Sequence, residues 1–119
     1  MPTRRVIIES PFAGRGPWPL NYIRRWLNIR YARRCVRDAV LRGESPIASH
    51  LLFTQRGILD DKDPTERRMG IEAGLAWGEV ADATVIYTDR GISNGMKAGI
   101  ERAKAEGRPV EQRTLTPAV

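Results

Sequence analysis

Val6-Ile7-Ile8 is a short β-branched run between Arg5 and Ser10, ended by Pro11 with Gly14 and Gly16 close behind. It predicts a buried strand over 5–10 that runs into a loop. From Asn21 to Leu41, Ile23, Leu27, Tyr31, Cys35 and Ala39 recur at four-residue spacing. That places them on one stripe of a long helix, which Arg42-Gly43 closes. Pro46 to Ser49 is a weaker strand signal, and His50 to Thr54 either continues it or begins a short helix. Asp63, Pro64 and Glu66 are an N-cap, a first helical residue and the partner of a capping box, so a helix is expected from there to Trp77 or Glu79. Ala83 to Tyr87 is nearly continuous apolar sequence, the pattern of a strand covered on both faces. Ser93 caps another helix with an inner stripe of Met96, Ile100 and Ala103, which Gly107 and Pro109 end. A last strand is expected from Pro109 to Arg113, and residues 114–119 form a polar tail expected to be disordered.

Strands that alternate with helices predict parallel pairing through right-handed crossovers. The expected fold is a three-layer α/β sandwich on a small parallel sheet of four or five strands, flavodoxin- or Rossmann-like, in a single domain over 1–113. Ligands of such folds bind beyond the carboxyl ends of the strands, where the strand order reverses. The loops after Ser10, Ser49 and Tyr87 therefore hold the candidate site.

Composition narrows the class. Hydrophobic residues are 41% and charged residues 29% of the 119, an ordinary soluble balance, and no apolar run could span a bilayer. A cytoplasmic protein without membrane contact is expected. Cys35 is the only cysteine and reads as a core residue in a reducing compartment. The net charge is +6, and 17 of the 20 cations are Arg, ten of them between Arg4 and Arg42. A solvated helix face is the preferred reading of Arg24 to Arg37 over a nucleic-acid footprint. Zinc-ligand spacing and aromatic residues interleaved with basic ones on strands are both lacking. Asp60, Asp61 and Asp63 lack EF-hand spacing, so neither a metal nor a cofactor is expected. Trp18, Trp26 and Trp77 are expected to cover the core from outside or to meet a second copy.

The turn from Tyr87 to Met96 is the most informative segment. Gly91 and Gly95 let backbone approach a ligand, Ser93 offers a hydroxyl or a plain helix cap, and free N–H groups of the next helix suit a phosphate or carboxylate. Glu9-Ser10-Pro11-Phe12, Pro46 to His50, Ser93-Asn94-Gly95, Glu101-Arg102-Ala103 and Gly107-Arg108-Pro109-Val110 occur in that order. In this the chain resembles the nucleoside 2-deoxyribosyltransferase superfamily, which includes deoxynucleoside monophosphate N-glycosidases and has bacterial and phage members. The resemblance implies a nucleotide or nucleoside-derived ligand and a homodimer or higher homo-oligomer. It also implies that Ser10, Pro11, Phe12, Ser93, Asn94, Gly95 and Met96 line the ligand, that Asp89 lies near sugar hydroxyls, and that Arg15 or Arg90 completes a phosphate site.

The match fails at one place. The superfamily's catalytic glutamate lies four residues after the turn glycine, and here that residue is Gly99. Glycine cannot attack an anomeric carbon. Glu9 is the leading replacement, since its place between an apolar run and a loop favours a raised pKa. Asp61 or Glu66 are further carboxylates within reach, and a structural role for Glu9, paired with an arginine or with backbone N–H groups, is the alternative. His50, the only histidine, is read as a general acid or base or as a hydrogen-bonded scaffold residue. Three functions follow: N-glycosidase or deoxyribosyltransferase chemistry, a non-catalytic domain that binds or sequesters a nucleotide signal, and a basic adaptor acting through the first helix.

Overall fold

The computed structural model describes residues 3–14 and 16–115. The chain runs β1 (Arg5–Glu9), α1 (Leu20–Leu41), β2 (Ser45–Ile47), α2 (Ser49–Leu52), α3 (Pro64–Ala76), a 3-10 turn (Trp77–Glu79), β3 (Ala83–Tyr87), α4 (Asn94–Ala105) and β4 (Val110–Arg113). All strands pair in parallel in the order β2-β1-β3-β4, with Ile7 beside Ile47 and Thr84, and Val85 beside Glu111. The expected α/β fold is therefore observed, with four strands. Strand order reverses between β1 and β3, which puts the loops after Glu9 and Tyr87 side by side.

Side-chain alternation along β1 and β3 divides the interior. Val6, Ile8, Ala83, Val85 and Tyr87 pack with Tyr31, Cys35 and Ala39 of α1. Ile7, Glu9, Thr84 and Ile86 face the other way, toward α4. The buried Cys35 is the core residue expected.

The predicted α1 stripe holds only in part. Tyr31, Cys35 and Ala39 are buried, but Ile23 is 49% exposed. The cause is length: 22 helical residues span about 33 Å, whereas a five-residue strand spans about 17 Å. The first turns of α1 overrun the sheet, and Trp18 and Trp26 stand in solvent rather than over the core. The open stretch from His50 is a helix, so His50 lies on the first turn of α2 and not in a loop. Asp63 caps α3 through Thr65 N and Glu66 N, but Glu66 accepts instead from Asp60 N, so the predicted capping box is half formed. The last strand starts at Val110, and Arg113 at its end forms a bidentate ion pair with Glu44 at 2.5 and 2.6 Å, largely out of solvent. Residues 116–119 of the predicted tail lie outside the described residues.

Candidate active site

A cavity of about 610 Å³ opens between the carboxyl end of β1, α2, α3 and the first turns of α4. Glu9 forms one wall, because the β1 alternation that buries Ile8 against α1 turns Glu9 toward α4. Gly99 admits it. A β-carbon on residue 99 would lie 2.5 Å from Glu9 Cδ and 2.9 Å from Oε1, closer than any such contact can be. The Glu9 carboxylate thus occupies the space a side chain on residue 99 would enter.

Burial pushes the Glu9 carboxyl up to about 7, against the pull of the Arg108 charge in the opposite direction. Among the described residues, no hydrogen bond or ion pair reaches its oxygens. Arg108 is committed elsewhere: its Nε donates to Thr84 Oγ1 at 2.9 Å, and Nη1 donates to Gly78 O at 2.9 Å and to Glu106 Oε1 at 2.7 Å. The other carboxylates of the cavity are engaged. Asp61 pairs with Arg67 at 3.5 Å, and Glu66 takes the Asp60 N–H at 3.1 Å.

His50 Nε2 and Ser10 Oγ are hydrogen-bonded at 2.8 Å, with Ser10 only 4% exposed. The Phe12 ring meets the imidazole edge-on, and Arg25 stacks over the same ring at 5.0 Å. Burial pushes the His50 pKa down to about 4, so the imidazole is neutral at physiological pH. Pro11 is buried in the same loop, and Phe12 lines the cavity.

The Tyr87–Met96 turn divides between two places. Ser93 and Gly95 line the cavity, with Ser93 Oγ accepting from Met96 N at 3.2 Å. Asn94 opens α4 exposed, and Met96 is buried beneath it. Asp89 and Arg90 do not reach this cavity. Asp89 accepts from Tyr31 Oη at 2.7 Å and from Leu115 N at 3.0 Å, and Arg90 Nε donates to Asn28 Oδ1 at 3.2 Å, all on the α1 side of the sheet. Arg15 lies outside the described residues.

The sequence reading missed the α3 wall. Gly70 and Gly74 of α3 and Gly78 of the 3-10 turn that follows line the cavity at four-residue spacing, a signal visible in the sequence. At Gly74 an added β-carbon would meet Ser49 Cβ at 2.7 Å, so this glycine lets α2 close on α3. Arg102 and Arg108 were quoted only as parts of longer motifs, yet both line the cavity. Among the described residues, no cluster of His, Cys, Asp and Glu could hold a metal ion, and no helix is long and apolar enough to cross a membrane.

Fold and site define an α/β sandwich with a ligand-sized cleft at its topological switch point. Residues 4–113 match the family described as a domain of unknown function, DUF7768, and the chain belongs to that family. No curated protein matches it. Among solved structures, the 2-deoxyribosyltransferase of the psychrotolerant bacterium Bacillus psychrosaccharolyticus shares the fold, with a TM-score of 0.62 at 16% identity over 97% of this chain and 75% of that one.

Proposed function

We propose that the protein cleaves or transfers the N-glycosidic bond of a nucleoside or nucleotide in the Glu9 cavity. The observation that carries this reading is the Glu9 carboxylate itself: raised in pKa, unpaired among the described residues, and set over the bare Gly99 backbone. A structural carboxylate would hold a hydrogen bond or a close ion pair; among the described residues Glu9 has neither, and only the more distant Arg108 charge acts on it. Its position also answers the missing glutamate of the resembled superfamily, because it reaches from β1 into the space of residue 99. The shared fold with a 2-deoxyribosyltransferase supports the same reading.

In this mechanism the ionised Glu9 carboxylate, the form that gains population as pH rises through about 7, attacks the anomeric carbon, the carbon–nitrogen bond breaks, and its electron pair leaves with the base, which takes a proton from solvent. Water or an acceptor base then attacks the glycosyl-enzyme and frees the carboxylate. Ser93 and Gly95, which line the cavity at the start of α4, are the seat this reading assigns to a 5′-phosphate. The neutral His50 orients the loop through Ser10 and does not supply a proton at neutral pH.

The test is to incubate the protein with a panel of nucleosides and deoxynucleoside monophosphates, following free base and thermal shift together. Base release that Glu9→Gln abolishes is the expected result. Thermal stabilisation without release would replace this reading with a nucleotide-binding domain that does not turn its ligand over.

A further inference from the structure

The outer face of α1 carries Tyr22, Trp26, Arg30, Arg33 and Arg37. At 100° per residue they fall within roughly 80° of arc, opposite the buried Tyr31, Cys35 and Ala39, and they extend for about 22 Å. Apolar rings on such a face should be covered, yet Tyr22 is 70% and Trp26 55% exposed, and Trp18, just ahead of α1, is 80% exposed. Arg30 lies 5.7 Å over the Trp26 ring. Where the aromatic part of the stripe ends, a second cavity of about 310 Å³ lies between α1 and the turn after β3, and Arg30, Arg34 and Arg90 line it. Its one carboxylate, Asp89, accepts from the Tyr31 hydroxyl and Leu115 N, and the three guanidinium groups outnumber it, so the surroundings are cationic.

We propose that this face of α1 binds single-stranded nucleic acid, with bases stacked on Tyr22 and Trp26 and backbone phosphate held at Arg30, Arg34 and Arg90. Charge selects the occupant. Between Leu20 and Leu41 there are six arginines and one acidic residue, Asp38, which accepts from Arg42 and Tyr87. A second copy docked two-fold on the same face would set these arginines against themselves. A partner must therefore be anionic, and one with free planar bases uses the rings as well as the guanidinium groups. A duplex would leave the rings unused. The interleaving of aromatic and basic residues sought on strands is present on a helix instead.

The experiment is fluorescence anisotropy of a labelled oligothymidylate of about 12 nucleotides, with the duplex of equal length and polyglutamate as competitors. Expected are a preference for the single strand, roughly tenfold weaker binding in Tyr22→Ala and in Trp26→Ala, and a shallower salt dependence in Arg30→Ala/Arg34→Ala. All these residues are exposed, and an unchanged melting temperature confirms folding. No binding, equal duplex binding, insensitivity to the ring substitutions, or equal competition by polyglutamate would overturn the proposal; the last would point to an acidic protein. Glu9→Gln should leave oligonucleotide binding unchanged, which keeps this outcome separate from that of the Glu9 cavity.

Discussion

The carboxyl carbon of Glu9 lies 2.5 Å from the point where a β-carbon on residue 99 would stand. The two positions compete for one volume, so Gly99→Ala must expel the Glu9 side chain or distort α4. The carboxylate is the far end of a flexible side chain, so the expected stability cost is small, below about 1 kcal/mol, while base release should fall roughly a hundredfold from misplacement of the carboxylate. In a Glu9→Ala background the stability cost should vanish, because the space is then free. Denaturant unfolding of the two singles and the double variant measures this directly.

Glu9 also makes stability depend on pH. Its folded pKa, about 7, is above its ordinary value of 4.5, so folding favours the protonated form. The native state is unpenalised below about pH 4.5 and loses stability as pH rises through 7. Glu9→Gln should therefore stabilise the protein at pH 8, by up to about 3 kcal/mol, and make no difference at pH 4. Melting curves of both proteins across that range check it.

His50 acts in the opposite direction. Its folded pKa, about 4, is below the ordinary 6.5, so the stability it contributes is present above pH 6.5 and lost as pH falls toward 4. The loss is expected to reach up to about 3 kcal/mol. His50→Gln should flatten that part of the stability profile, and a histidine that titrates near 6.5 by proton NMR would refute the assignment.

The Glu44–Arg113 pair ties the segment after α1 to the end of β4. The guanidinium of Arg113 holds the Glu44 carboxyl below its ordinary range despite burial. Glu44→Gln should destabilise by about 3 kcal/mol, since it leaves a largely buried guanidinium without its counter-charge. That difference is present above about pH 4.5 and shrinks as pH falls through the folded pKa of Glu44.

Much of the fold was legible because local signals agreed. The apolar runs of β1 and β3, the Asp63-Pro64 start of α3 and the Ser93 cap of α4 each state one conformation. The inner stripe of α1 was legible only where the sheet lies beneath it, because periodicity reports which residues share a face and not how far the covering layer extends. In the site, Glu9 and Gly99 were each singled out, but their contact depends on β1 and α4 meeting across the fold. The orientation of Asp89 and Arg90 was not legible, since a turn of six residues between β3 and α4 can face either side of the sheet. The glycines of α3 were readable by spacing alone and went unread, because no polar chemistry marked them.

The central claim is that Glu9 is the carboxylate that meets the sugar. The most direct measurement uses a nucleoside with fluorine at the sugar 2-position, which slows breakdown of a glycosyl-enzyme, followed by intact mass and peptide mapping. A sugar adduct on Glu9, absent in Glu9→Gln, is the predicted result. An adduct on Asp61 or Glu66, or base release that persists in Glu9→Gln, would contradict it.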